Sequence, residues 1–419
     1  MPTPRQHIVV LGGGTGGTSV ANRLRRELPA DEVTITVVDQ DDRHVYQPGL
    51  LFVPFGLATA RDLVRPRRAQ LHRGVGLELG EIDQVGLDPR VVRLDDGTEL
   101  PYDVLVVATG ARLLPEETEG LTGPGWRERV FTFYDLAGAS ALAGALAHFD
   151  GGRMVIDVAD LPIKCPVAPL ELAFLADWFF RARNMRDDVE IVYATPLDAA
   201  FTRPVAARTL GGLLEQKGIE LVTDFNLGSV DGEAGTLVSY DDRTLDFDLA
   251  VVVPLHGGAA FVDRTPGLGD ELGFVRVDHH TLQSAVSERI FAVGDAAAIP
   301  ASKAGSVAHY QGEVVVENVR RVLDGEPPTA RFDGHTTCFI ESGFGRALLI
   351  DFDYETEPLP GHYPGRMGLP LLKESWLNHV GKQLFEPLYW HSLLPGRDVP
   401  GLGSAMPRAG KALAAASPD

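Results

Sequence analysis

Apolar and polar positions along this chain fall into repeating blocks. A continuous apolar run, "HIVVL" (His7 to Leu11), leads into a glycine-rich turn and then a helical stretch ending near Leu28. A second apolar run, "VTITVVD", follows and ends in Asp39. Strands without polar alternation are buried on both faces, and helical periodicity between them marks the crossover of a parallel sheet. The pattern recurs at Val104–Ala108, at Met154–Val158 with a helix from Leu170 to Arg181, at Val189–Ala194 and at Leu249–Val253. It recurs once more before Gly294, with a helix from about Gly305. An Asp96-Gly97 pair predicts a hairpin. The expected fold is therefore α/β, with two Rossmann-like three-layer domains, the second inserted in the first. The boundaries expected are 1–112 and 282–330 for the first domain and 113–281 for the second. From 331 to 400 the pattern changes to two strands, Thr336–Glu341 and Arg346–Phe352, and an amphipathic helical segment. Residues 401–419 are rich in Ala, Gly, Ser and Pro and read as a disordered tail.

The first turn carries chemistry. Gly12, Gly14 and Gly17 stand in G-x-G-x-x-G spacing between strand and helix, and Asp39 closes the next strand twenty-two residues later. The first glycine makes the turn, the second admits a pyrophosphate to the backbone, and the third lets helix and strand close up. The helix N-terminus favours the phosphate charge, and Asp39 accepts from ribose hydroxyls. "ATG" (Ala108 to Gly110, with Thr109) and "VGD" (Val293 to Asp295, with Gly294) resemble the paired signatures of two-domain FAD-dependent disulfide oxidoreductase-like flavoproteins. That resemblance implies FAD as cofactor, with Asp295 bonded to its ribityl or pyrophosphate part.

The second α/β unit departs from that plan. Between its strand and helix stands "LPIKCPVAPLE" (Leu161 to Glu171), with no glycine loop. Prolines remove amide donors that a phosphate needs, so a pyridine nucleotide is not the expected electron donor. Cys165 precedes the helix and follows Lys164; helix N-terminus and ammonium together predict a depressed thiol pKa.

Composition narrows the function classes. The 419 residues carry a net charge of −20, which disfavours nucleic acid as a partner. Only two cysteines occur, Cys165 and Cys338, too few for a secreted disulfide scaffold and in keeping with a cytoplasmic chain. No secretory signal pattern and no membrane-spanning apolar run is apparent.

"IKCPVAPLE", "GDAAAIPASKAGSVAHYQGE" and "CFIESGFGRALLIDFDY" resemble the motifs of sulfide:quinone oxidoreductases over about Ile8 to Pro400. The resemblance implies that Cys165 and Cys338 form the redox pair beside the flavin and that Glu171 is a proton carrier. The alternative for Glu171 is a solvated first-turn carboxylate serving the helix dipole. A third cysteine that many of these proteins carry upstream is missing around Val130–Ala139, so the FAD is expected to be held without that bond. Hydrosulfide would open a Cys165–Cys338 disulfide, leaving a persulfide and a thiolate, with persulfide or polysulfide as the sulfur product.

The segment "LPLLKESWLNHVGKQLFEPLYWHSLLPG" places Leu372, Trp376, Val380, Leu384 and Leu388 at four-residue intervals. From Gly361 onward six Lys/Arg stand against four Asp/Glu, a local excess of positive charge in an acidic chain. With the resemblance, this implies a peripheral, monotopic attachment to the cytoplasmic face of the cell membrane and a membrane quinone as electron acceptor. Trp376, Phe385, Tyr389 and Thr337 are the candidate quinone contacts. Lys303 is a candidate charge beside the reduced flavin, with a surface lysine as the alternative. His309 is a candidate proton relay, with a structural histidine as the alternative. A homo-oligomer is expected. Two other functions stay open: a type II NADH:quinone dehydrogenase-like enzyme, and a non-catalytic FAD-binding thiol redox sensor.

Overall fold

The computed structural model describes residues 5–399 and 403–412. Five parallel strands form the first sheet, in the order Ile290–Ala292, Val104–Val107, Gln6–Leu11, Val33–Asp39, Val75–Leu79. A second parallel sheet runs Val130–Phe131, Leu249–Val253, Gly152–Val158, Val189–Ala194, Glu220–Val222. The central strands are valine-rich and fully buried, Val104 to Val107 and Val251 to Val253 having no exposed surface. Burial on both faces is what removes polar alternation from such strands. The Asp96-Gly97 turn joins Arg90–Leu94 and Glu99–Pro101 antiparallel, as expected.

Helix Thr15–Glu27 packs beside Gly305–Leu323 over the first sheet, where Val20, Leu24, Val315 and Val319 are fully buried. The expected boundary at 281 falls too late. Phe261, Val262, Leu268 and Val275 pack with Val9, Leu11 and Val107 of the first sheet. Their apolar side chains find their core there, so the chain leaves the second sheet by about residue 258.

The C-terminal region is an antiparallel hairpin, Thr336–Gly343 with Arg346–Phe352, crossed by helix Trp376–Leu388. Ser375 caps that helix by accepting from the Asn378 amide at 3.0 Å. The expectation of a disordered tail from 401 is overturned for residues 403–412. Met406 is buried and its amide donates to Asp333 at 2.9 Å, while the side chain of Lys411 is buried in an ion pair with Asp351. Low apolar content did not prevent this, because one thioether and one ammonium each meet a prepared partner. The remainder of the expected tail lies outside the described residues. No helix among the described residues is long and apolar enough to cross a membrane.

Candidate functional site

One cleft of about 2000 Å³, counted to its open mouth, runs from the first glycine turn to the C-terminal helix. Its dinucleotide end is built by backbone. Gly12 has φ +92°, and a Cβ there would lie 2.4 Å from the Ala108 carbonyl oxygen. At Gly17 a Cβ would lie 1.9 Å from the Gly12 oxygen, whereas at Gly14 it would meet nothing within 4 Å. The first and third glycines are therefore packing requirements, and the second borders open space, as the fingerprint demands. Asp39 Oδ2 accepts from the Gly13 amide at 2.6 Å and pairs with Arg67 at 2.9 Å. Burial raises its pKa while Arg67 opposes. Arg67 also reaches the Gly13 carbonyl, so it locks the loop from below. It was not legible in the sequence; nothing marks one arginine among "RPRR".

The other end of the cleft tests the fit of FAD. Thr109 Oγ1 is buried without a hydrogen-bond partner and borders the cleft. A buried hydroxyl left unpaired costs about 1–3 kcal/mol, which a ligand polar atom would recover. Gly110 and Gly294 have φ +71° and +70°. Gly294 donates to Gln311 Oε1 at 2.6 Å, which presents Asp295 to the cleft. Burial raises the Asp295 pKa against Lys303 and Lys164. Lys303 lines the cleft too, but its ammonium is turned away into the chain. It donates to the Asp295 and Ala297 carbonyls at 2.7 and 3.2 Å and lies 3.7 Å from the Phe274 ring centre. It is 8% exposed and burial pulls its pKa down to about 8, so it is not a surface lysine. The residues present fit an FAD.

Both cysteines open on this cleft as free thiols. Cys165 has φ +44°, in the left-handed region that side chains avoid. Its amide donates to the Lys303 carbonyl at 2.6 Å, and its own carbonyl accepts from Ala168 N at 2.8 Å and Tyr134 Oη at 3.2 Å. The loop that would hold a pyrophosphate elsewhere is thus turned onto the first unit. The expected low thiol pKa is overturned: Cys165 is pushed up to about 12, by burial first and the Glu171 carboxylate second. Lys382 supplies the largest opposing charge, while Lys164, itself pulled down by burial, couples to the thiolate more weakly. Cys338 is also pushed up, by burial and then by a Cys165 thiolate.

Glu171 is not a solvated carboxylate. It is 2% exposed, ion-paired to Lys382, and accepts from the Glu341 amide at 2.5 Å. Burial raises its pKa and Lys382 lowers it. Glu341 in turn contacts His379 Nδ1 at 3.0 Å. Sequence reasoning missed Lys382. Its one trace was a cation next to the apolar stripe, three residues after His379.

The four quinone candidates separate. Thr337 and Phe385 line the cleft. Tyr389 lines it as well, but its hydroxyl contacts Thr15 Oγ1 at 2.9 Å and His44 Nε2 at 2.6 Å, at the glycine-loop end. Trp376 is 64% exposed and outside the cleft; of the four-residue series that selected it, Leu372, Val380 and Leu388 are half-buried while Trp376 and Leu384 face outward. His309 is buried with neither ring nitrogen hydrogen-bonded, and burial pulls its pKa down to about 4. It lies outside the cleft lining, as a structural histidine.

A family model described as pyridine nucleotide-disulphide oxidoreductase matches residues 6–147. Together with the glycine turn and the cradle from Thr109 to Asp295, this defines an FAD-dependent oxidoreductase. The mitochondrial sulfide:quinone oxidoreductase of Mus musculus is 27% identical over 403 residues, 94% of this chain and 88% of the relative. A type II NADH:quinone oxidoreductase of Staphylococcus saprophyticus is 24% identical over 385 residues, 85% of this chain and 92% of the relative. Among solved structures, the sulfide:quinone oxidoreductase of Aquifex aeolicus superposes with TM-score 0.80 at 19% identity, covering 94% of this chain and 92% of that one. Over 94% of its length the chain is thus similar to a sulfide:quinone oxidoreductase, and it shares the fold of another.

Proposed function

We propose that this protein oxidises sulfide through Cys165 and Cys338 and passes the electrons by way of FAD to a membrane quinone. The observation that carries the proposal is that Cys165 and Cys338, 173 residues apart in sequence, line the cleft that the dinucleotide turn opens, near enough for a Cys165 thiolate to raise the Cys338 pKa.

Hydrosulfide attacks one sulfur of the oxidised pair and the S–S bond breaks. One cysteine keeps the new sulfur as a persulfide and the other leaves as thiolate. The sulfide sulfur is oxidised by two electrons and the pair is reduced by two. A second hydrosulfide then lifts off the sulfane sulfur as polysulfide and returns the cysteine. FAD, when bound, would supply the two-electron acceptor that lets the reduced Cys165–Cys338 pair close to its disulfide again and would pass the electrons on to quinone. Gly12 to Gly17, Asp39, Thr109, Gly110, Gly294 and Asp295 would hold it, and Lys303 sets the turn that presents Asp295. Glu171, beside Cys165, takes up the proton that hydrogen sulfide or thiol releases. Lys382 keeps that carboxyl within reach of ionisation. The high thiol pKa is no obstacle, since the oxidised pair has no thiol to titrate.

The acceptor end is read at Thr337 and Phe385. Trp376, Leu377 and Leu384 are 64%, 51% and 60% exposed on one helix face, with Lys373 and Arg366 nearby in sequence. Apolar side chains flanked by cations suit the surface of an anionic bilayer, so we place the protein peripherally on the membrane's cytoplasmic face. The second α/β unit, inserted between the strands Val104–Val107 and Ile290–Ala292, lends its loop to the cysteine rather than to a nucleotide.

The test is anaerobic bleaching of FAD by sulfide, followed by turnover with decylubiquinone, with NADH as control donor. Sulfide bleaches the wild type and leaves Cys338→Ser oxidised. Normal bleaching in Cys338→Ser refutes the thiol chemistry. Bleaching by NADH favours the dehydrogenase reading, and bleaching without turnover favours the sensor.

A further inference from the structure

The C-terminal hairpin has two faces. Cys338, Ile340, Leu348 and Ile350 join the core that holds helix Ala168–Ala182. The other face carries Phe339 and Leu349, packed with Tyr363 and Leu371, and the pair Thr337 and Asp351, which face each other in register. Behind Thr337 lies a buried polar cluster that the thiol chemistry does not use.

Thr337 Oγ1 donates to Asp351 Oδ1 at 2.6 Å and accepts from Tyr310 Oη at 3.2 Å. It lies 3.0 Å from His335 Nε2, which is itself 2.8 Å from Asp351 Oδ1. His335 Nδ1 faces the Gly403 carbonyl at 3.1 Å, so that nitrogen carries the hydrogen. The Tyr310 ring stacks on the imidazole at 4.2 Å between centres, 6° from parallel. Lys411 reaches the other oxygen of Asp351, and the side chains of His335, Asp351 and Lys411 are 0%, 0% and 1% exposed. Burying ions costs several kcal/mol each unless every one is paired. Here Asp351 meets Lys411 through one oxygen and Thr337 and His335 through the other, and the cluster spans from the cleft at Thr337 to Gly403, an exposed residue.

We propose that Thr337 and His335 form a proton relay, positioned by Asp351 and Lys411, that serves the electron acceptor in the cleft. The inference rests on the quinone reading above. Reduction of a quinone to a quinol takes two electrons, from reduced flavin, and two protons. For each proton, the Thr337 hydroxyl gives its hydrogen to the acceptor oxygen as it takes one from Nε2 of doubly protonated His335, whose Nδ1 hydrogen stays on the Gly403 carbonyl. Water entering the cleft once the quinol leaves protonates Nε2 again through the Thr337 hydroxyl. Asp351 and Lys411 neutralise one another throughout, so only the imidazole changes charge. A hydroxyl passes a proton by taking one as it gives one, and an imidazole ring has two nitrogens that can each hold one. Thr337 touches the cleft; His335, Asp351 and Lys411 act through it.

The experiment starts from the holoenzyme with its FAD reduced photochemically, so sulfide plays no part. Reoxidation is followed after mixing with decylubiquinone, which needs protons, or with ferricyanide, which needs none. Thr337→Val and His335→Gln are expected to slow the decylubiquinone reaction at least tenfold, a modest share of what general acid–base groups supply. The ferricyanide reaction keeps its wild-type rate, and Thr337→Ser restores quinone reoxidation. A Thr337→Val protein that matches the wild type with decylubiquinone overturns the relay. So does equal slowing with ferricyanide, the mark of a merely structural role. A wild type that decylubiquinone fails to reoxidise sinks the quinone reading itself and the relay with it.

Discussion

Replacing Glu171 by Gln keeps the volume and removes one buried negative charge beside Cys165. That carboxylate is the largest cause of the high Cys165 pKa after burial itself. Its removal leaves the Lys382 ammonium unopposed, in a place where opposite charge moves a pKa by about 1–3 units. A fall of one unit raises the thiolate fraction about tenfold at any pH below the pKa. Alkylation of Cys165 by iodoacetamide in the reduced protein, read by mass spectrometry of the Cys165 peptide at pH 8, should then run about tenfold faster. Lys382→Met makes the converse test. A carboxyl that burial already raises takes a proton once its cation is gone, so both charges vanish together and the Cys165 rate stays close to wild type. Removing one partner of a buried pair costs about 3–5 kcal/mol, and protonation of Glu171 recovers part of that. If loosening of the pocket governed reactivity instead, both variants would speed alkylation. An unchanged or slower rate in Glu171→Gln, or a faster one in Lys382→Met, refutes the electrostatic account.

Gly17→Ala drives a Cβ to 1.9 Å from the Gly12 oxygen, backbone that has no room to yield; the protein should purify without FAD, as the absence of absorbance near 450 nm would show. His309 is held neutral with its pKa lowered to about 4. A depressed histidine leaves stability whole above its unfolded value of about 6.5 and lost as pH falls toward 4, by about 3 kcal/mol. Urea midpoints across that window should fall less steeply in His309→Leu. Deleting the segment around the C-terminal helix is not a clean test of membrane attachment, because Leu393 and Leu394 carbonyls accept from Ser19 and Asn22 of the dinucleotide helix. Changing Trp376, Leu377 and Leu384 together to Ser should release the protein from anionic liposomes in flotation while its FAD content stays the same.

The sequence by itself determined what is local. Glycine spacing at 12, 14 and 17 specifies a turn because the backbone there has no room for a Cβ, and unbroken valine runs specify parallel strands because both their faces are dry. Family motifs marked Cys165, Cys338 and Glu171, and the cleft gathers all three. What only the tertiary structure decided is how distant groups act on one another. Lys164 adjoins Cys165 in sequence, yet Lys382, more than two hundred residues on, is the cation that most opposes the rise of its pKa. A charge acts through space over a few ångströms and no sequence interval records that distance. The same holds for the tail, where Lys411 becomes ordered by an aspartate sixty residues earlier. It holds too for Trp376, which turns outward while its series partners Leu372, Val380 and Leu388 are half-buried. Periodicity gives which residues share a face; only packing against the rest of the chain gives what that face meets.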